Sequence, residues 1–179
     1  MVKAVFPGRF QPFHNGHKSV VEDLKSQYDE VAVLICDEES RTEENPLNFE
    51  EREKLIRECF PEIQIETQKN REEDDLWAEE LIRKTDPDVI ISRSDWTNDA
   101  IENSTDIEVK EQQLHEREIY SGTETRRRIR SGEEWRYLVP DETTELIEQL
   151  TETFKNSGKQ YEFEPGWKKE NSFYDTAED

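Results

Sequence analysis

The chain of 179 residues has two cysteines, one methionine and three histidines, and only 31% of it is hydrophobic. Cys36 and Cys59 each sit in an apolar run, so they read as reduced core thiols; two cysteines cannot build the disulfide framework of a small secreted domain. No apolar run approaches the roughly 20 residues of a helical membrane span, and the first residues read as a strand rather than a leader. A soluble, cytoplasmic protein with no membrane partner is therefore expected. Basic residues are scarce as well: 24 Lys and Arg against 45 Asp and Glu leave a formal net charge of −21. Nucleic acid would be repelled rather than neutralised, which excludes it as a partner. Acidic residues spread along most of the chain suit a cytosol of molar salt, where self-repulsion is screened. A halophilic source is favoured over an ordinary acidic protein.

What is present is periodicity. With 39% of residues charged, the composition borders on disorder, yet the apolar residues are grouped into segments of regular spacing. Lys3-Ala4-Val5-Phe6 reads as a strand, and Lys18 to Leu24 as a helix that starts near Asn15. Glu30 to Cys36 is a nearly continuous apolar run, the mark of a strand buried on both faces. Asn48, in capping-box relation to Glu51, opens a helix to about Phe60, and Ile63 to Thr67 alternates as a strand. Leu76 to Lys84 is helical, and Asp88 to Ser92 is another buried strand. A short helix near Thr97 to Asn103, an edge strand near Ile107 to Lys110, a basic helix from Gly122 to Arg130 ended by Gly132, and one last helix from Pro140 to about Phe154 complete the reading.

This alternation predicts a single α/β domain over residues 1–154, doubly wound and Rossmann-like, with a parallel sheet. Residues 155–179 read as a polar tail, loosely packed or frayed. Such sheets bind ligands beyond the carboxyl ends of their strands, where the loops starting at Gly8, Asp37, Gln68 and Arg93 lie.

The first of these loops carries the densest signal, Gly8-Arg9-Phe10-Gln11-Pro12-Phe13-His14-Asn15-Gly16-His17. Gly8 permits close approach of backbone to a ligand, Pro12 stiffens the turn, and the following helix offers free N–H groups and a positive dipole end to an anion. Two histidines three apart can point into one space and donate to phosphate oxygens. Two ordinary surface histidines are an alternative, and so is zinc. For zinc the chain offers only His115 with Cys36 or Cys59, at spacings that do not match a zinc site.

The decapeptide resembles the nucleotidylyltransferase signature that ends in His-x-Gly-His, and Ser121-Gly122-Thr123-Glu124-Thr125-Arg126 resembles the Ser-x-Thr-x-x-Arg signature that closes the same site. Together with Glu134-Trp135-Arg136-Tyr137-Leu138-Val139-Pro140, the wording is similar to the archaeal type of nicotinamide-nucleotide adenylyltransferase. The resemblance implies a nucleotidylyltransferase-type fold that transfers the adenylyl group of ATP to nicotinamide mononucleotide (NMN), forming NAD and pyrophosphate. It implies His14, His17 and Arg126 as catalytic residues, with Gly8, Arg9, Phe10, Gln11, Ser121 and Thr123 completing the ATP site. A guanidinium suits Arg126 because its planar donors match phosphate oxygens and it keeps its charge. Trp77 would stack on the pyridinium. Asn70 and Asp74 would serve its carboxamide, although relatives carry Asp before Asn and this chain has them exchanged. Mg2+ would be held mainly by the ATP phosphates and water, with no protein metal cage. A homo-oligomer is implied, and a hexamer is allowed. A related transferase acting on phosphopantetheine, a flavin nucleotide or a phosphorylated alcohol is the alternative within the class; a non-catalytic nucleotide sensor is the alternative outside it.

Overall fold

Lys3–Gly8 forms strand β1, and its apolar side chains on both faces make it the centre of the sheet in the computed structural model, which describes residues 1–111 and 119–159. It pairs with β2 (Glu30–Cys36) on one side and β4 (Val89–Ile91) on the other; β3 (Gln64–Gln68) and β5 (Glu108–Lys110) form the edges. All four pairings are parallel and the order is β3-β2-β1-β4-β5. This is the doubly wound arrangement expected from the alternation. The strand order reverses between β1 and β4, so a crevice opens beyond their carboxyl ends.

The period of two along the strands divides the core. Ala4, Phe6, Val33 and Ile35 pack with Val20, Val21 and Leu24 of α1 (Asn15–Gln27) and Ile56 of α2 (Phe49–Cys59). Val5, Ala32, Leu34 and Ile90 pack on the other face with Ala78 and Leu81 of α3 (Asp74–Thr85) and Ala100 and Ile101 of α4 (Asp95–Ser104). A third cluster, including Leu47, Leu55, Ile129, Trp135, Ile147 and Phe154, fastens α5 (Gly122–Ser131) and the C-terminal helices to α2.

Local signals set the helix ends. Asn48 and Glu51 bond reciprocally in a capping box, with Glu51 N–H to Asn48 Oδ1 at 2.8 Å and Asn48 N–H to Glu51 Oε1 at 3.0 Å. Gly132 closes α5 at φ 79°, where a side chain would be strained. The expected single helix from Pro140 to Phe154 is in fact three pieces: a 3-10 turn at Asp141–Thr143, α6 (Thr144–Gln149) and α7 (Thr151–Asn156). Leu150, at φ −93° and ψ 1°, leaves the helical region and splits the run, while Ile147 and Phe154 on either side are both fully buried. Gly158 N–H donates to Arg41 O at 2.9 Å. His115 and residues 160–179 of the expected tail lie outside the described residues. Among the described residues no helix is long and apolar enough to cross a membrane.

One charged side chain sits wholly inside this fold. Arg52 of α2 is 0% exposed and lies 4.7 Å over the Phe49 ring. Its guanidinium donates to four backbone carbonyls: Asn48 (3.2 Å), Arg9 (3.0 Å), Cys36 (2.8 Å) and Asp37 (2.6 Å). Burial lowers its pKa to about 10, which still leaves it charged at neutral pH. The loops after β1 and β2 are thereby held to α2 by one group. Arg52→Met, which keeps the stem but strands four carbonyls, should lower stability by about 3 kcal/mol or more. Urea unfolding at fixed KCl measures this, and a loss below about 1 kcal/mol would show that the carbonyls find other partners.

Candidate active site

The loop between β1 and α1 turns back on itself over Gly8. Phe10 takes a left-handed backbone (φ 53°) and lays its ring against that residue; a Cβ on Gly8 would stand 2.8 Å from Phe10 Cζ. Phe10 is then buried between Phe6 and Phe13. Gln11 is buried as well, and its amide pairs both ways with the Leu47 backbone, at 2.8 and 2.9 Å. Gln11–Pro12 is a cis peptide bond. The side chains of Phe10 and Gln11 therefore build the loop from inside, while Gly8 and Arg9 face the crevice.

The loop delivers His14 as the N-cap of α1, an uncommon residue for that position. Its Nδ1 accepts from the N–H groups of Gly16 (3.0 Å) and His17 (3.4 Å), and His17 Nδ1 accepts in turn from the His14 N–H at 3.2 Å. The two rings stack with centroids 3.7 Å apart. With both Nδ1 atoms acting as acceptors, each neutral ring carries its proton on Nε2. Burial, then the Arg126 charge, lowers the His14 pKa to about 4; burial, then His14, takes His17 well below the usual range. The site therefore presents two neutral imidazoles at neutral pH. Gly16 is required beside them, because a Cβ there would stand 2.8 Å from His14 Cε1.

Opposite stands the start of α5. Ser121 caps it, accepting from Glu124 N–H at 3.1 Å, and leaves the N–H groups of the first turn for an anion. Arg126 reaches across to donate to Gln11 O at 2.8 Å and touches Thr123 Oγ1 at 3.4 Å. Among the described residues it has no carboxylate partner within ion-pair distance. Burial, then the charges of Arg130 and Arg9, lowers its pKa to about 10. Glu44 and Glu43 act on it in the opposite sense, and a desolvated, charged guanidinium bonded only to a carbonyl and a hydroxyl keeps donors for an incoming anion. Arg127 and Arg128 differ: both pair with Glu124 at 2.8 Å, Arg127 also with Glu133, and they hold the outer face of the helix.

Beyond β1 and β4 lies a cavity of about 440 Å³. Gly8, Arg9, Asp37, Asn70, Trp77 and Trp96 are on its wall. Asp74, exposed in the first turn of α3, is outside it. Sequence reasoning passed over Arg52, whose partners are all backbone carbonyls, and Asp37, whose left-handed φ of 71° and burial set it apart from the polar loop it begins. The donors beside the histidines are cationic or neutral, a set that fits a divalent ion carried in on phosphates. Among the described residues no group of three or more His, Cys, Asp or Glu side chains could hold a metal.

A crevice at the sheet's switch point with Gly8 and Arg9 on its wall, and, on the loop that continues from them, a helix-capping histidine pair with Arg126 nearby, define a phosphate-handling nucleotide site. The chain belongs to the cytidylyltransferase-like family, whose model matches residues 5–156. Within that family it is similar to the nicotinamide-nucleotide adenylyltransferase of Methanolobus tindarius, at 31% identity over 156 residues, 84% of this chain and 90% of the relative. The Halobacterium salinarum protein of the same name is 28% identical over 159 residues, covering 84% of this chain and 88% of the relative. In fold it resembles a bifunctional NMN adenylyltransferase/ADP ribose pyrophosphatase from Francisella tularensis, solved with AMP and a manganese ion. That likeness has a TM-score of 0.72 at 17% identity and covers 90% of this chain and 53% of the solved one.

The lowered histidine pKa values carry a pH signature. Between pH 6.5 and about 4 the unfolded chain binds a proton at His14 that the folded chain refuses. Stability is therefore full above pH 6.5 and falls as pH drops through that window. From pH 7 to 5, above the ordinary carboxylate range, His14 should cost on the order of 2 kcal/mol, and His17 adds a cost of the same sign. Urea midpoints at the two pH values check this. His14→Asn, which keeps a capping acceptor, should shrink the drop, and an unchanged drop would mean His14 is not held neutral.

Proposed function

We propose that the protein transfers the adenylyl group of ATP to NMN, forming NAD and pyrophosphate. The observation that carries this reading is the pair of Nε2–H imidazoles close to Arg126, which among the described residues has no carboxylate within ion-pair distance, in a chain with relatives that bear that activity's name. The nucleophile is the 5′-phosphate oxygen of NMN, so no protein nucleophile is needed. The enzyme positions two anions and stabilises the charge that builds on the oxygens around the α-phosphorus.

His14 and His17 donate from Nε2 to the phosphate oxygens, and being neutral they do so without losing a proton to a phosphate dianion. Arg126, assisted by the N–H groups at the start of α5 and by Ser121 and Thr123, binds the β- and γ-phosphates as pyrophosphate leaves. Gly8 and Arg9 admit the nucleotide to the strand ends; Phe10 and Gln11 hold that loop's shape. Asn70 and Trp77 belong to the wall that receives NMN, and Asp74 enters only if its loop moves toward the cavity. Mg2+ would be held mainly by the ATP phosphates and water rather than by protein side chains, and would neutralise part of the phosphate charge. The acidic surface suits molar salt, and a homo-oligomer belongs to the same reading.

Incubation with ATP, Mg2+ and NMN should yield NAD and pyrophosphate in equal amounts, with phosphopantetheine and flavin mononucleotide giving none; no NAD, or turnover of another acceptor alone, contradicts the reading. His17→Ala and Arg126→Ala should each lower kcat by about a hundredfold or more while ATP binding weakens much less, since both act on charge that develops at phosphorus. Near wild-type kcat in either variant would remove it from the reacting centre.

A further inference from the structure

In a chain with 45 Asp and Glu against 24 Lys and Arg, an arginine without a carboxylate is the exception. Arg41, Arg71, Arg93, Arg127 and Arg136 each pair with a glutamate. Arg9, Arg126 and Arg130 have no carboxylate within ion-pair distance among the described residues, and they stand near one another: the charges that depress the Arg126 pKa are first Arg130 and then Arg9. Three cations left unpaired in one place, on a protein with carboxylates to spare, are the complement of a polyanion.

Arg126 and Arg130 are four residues apart on α5, hence on one face and about 6 Å apart along its axis. Arg126 folds back toward the helix start, where a Cβ on Gly122 would stand 2.9 Å from its Nη1. The Arg130 guanidinium is held but not used up. Its Nε donates to Phe154 O at 3.0 Å and its Nη2 to Glu43 O, which ties α5 to α7 and to the loop after β2. A guanidinium has five N–H groups, so these two bonds leave three for a ligand. Burial lowers the Arg130 pKa and Glu43 opposes that shift. The side chains of Glu43 and Glu44 belong to exposed residues, where water and salt screen their charge.

We propose that Arg130 is a further ligand of the ATP triphosphate, closing on the γ-phosphate one helical turn beyond Arg126, and that it makes the site select a triphosphate over a diphosphate or monophosphate. This rests on the reading of the protein as an adenylyltransferase that uses ATP. The phosphates run from His14 and His17 past Arg126 to Arg130, so the pyrophosphate is held at its far end as it leaves.

Binding of AMP, ADP and a non-hydrolysable ATP analogue to the full chain, titrated in molar KCl with Mg2+, tests it by ligand length. Loss of a hydrogen bond to a charged group typically weakens binding roughly tenfold to a hundredfold. Arg130→Gln should weaken the ATP analogue by about tenfold or more and AMP by less than about twofold, so that the gain in affinity from ADP to the ATP analogue largely disappears. Arg130→Lys, which keeps the charge, should recover part of that gain. Comparing ligands within each variant keeps the readout valid even where the lost bonds to Glu43 and Phe154 lower the melting temperature. Equal weakening of all three ligands would assign Arg130 to the scaffold alone and overturn the proposal, as would unchanged binding of all three; either result leaves NAD formation by the wild type in place. A wild-type protein that makes no NAD overturns the activity on which the assignment rests.

Discussion

The site depends on a guanidinium that never meets substrate. Arg52 holds the carbonyls of Arg9, Cys36 and Asp37, which belong to the loops leaving the two central strands, and it does so from α2. Once Arg9 is fixed, Phe10 can fold back over Gly8 and Gln11 can clasp Leu47, and the chain reaches His14 with only one way to enter α1. A buried charge is costly unless every donor is satisfied, and here the partners are carbonyls at the ends of strands whose other bonds are already fixed. The shape of the loop that carries the histidines therefore follows from packing between α2 and the sheet.

His14 shows how structure and chemistry share one group. As a cap it fixes the start of α1, and that same bond places its proton on Nε2, the atom a ligand would meet. The reciprocal bond does the same for His17. Electrostatics must then reconcile a net charge of −21 with an anionic substrate. At about 1 M salt the Debye length is roughly 3 Å, so the acidic surface is screened over distances longer than a hydrogen bond, while a guanidinium such as that of Arg9 or Arg126 would act on an anion at hydrogen-bond distance. An acidic shell and a cationic crevice are compatible where salt separates their ranges.

Much of this was legible in the sequence. The β1 and β2 runs, the Asn48–Glu51 box, the Gly132 stop and the decapeptide all report local chemistry, and local chemistry is what a linear reading resolves. The two signatures also implied that residues far apart in sequence would meet, as Arg126 and Gln11 do across a separation of 115. What stayed hidden is what depends on the third dimension. Nothing local distinguishes Arg52 from the other charged residues of its helix, because three of its four acceptors, the carbonyls of Arg9, Cys36 and Asp37, lie outside that helix. Phe10 and Gln11 lie in a loop of ligand-facing type, yet Gly8 lets their side chains turn inward. The resemblance points to Trp77, and nothing in the letters shows that it is 1% exposed while Trp96 is 44% exposed. Leu150 sits in an unbroken helical pattern, and the split there comes from packing at the third core cluster.

The central claim is that the fold holds two neutral imidazoles with their protons on Nε2, close to Arg126, which among the described residues has no carboxylate within ion-pair distance. Long-range proton–nitrogen correlation spectra of the histidine rings, recorded in molar KCl from pH 7.5 to 5 and assigned with single-histidine variants, test it directly. The account predicts that His14 and His17 both show the Nε2–H tautomer and that neither titrates across that range, in keeping with a His14 pKa of about 4. A ring that titrates near its ordinary value of about 6.5, or one whose proton sits on Nδ1, would contradict it.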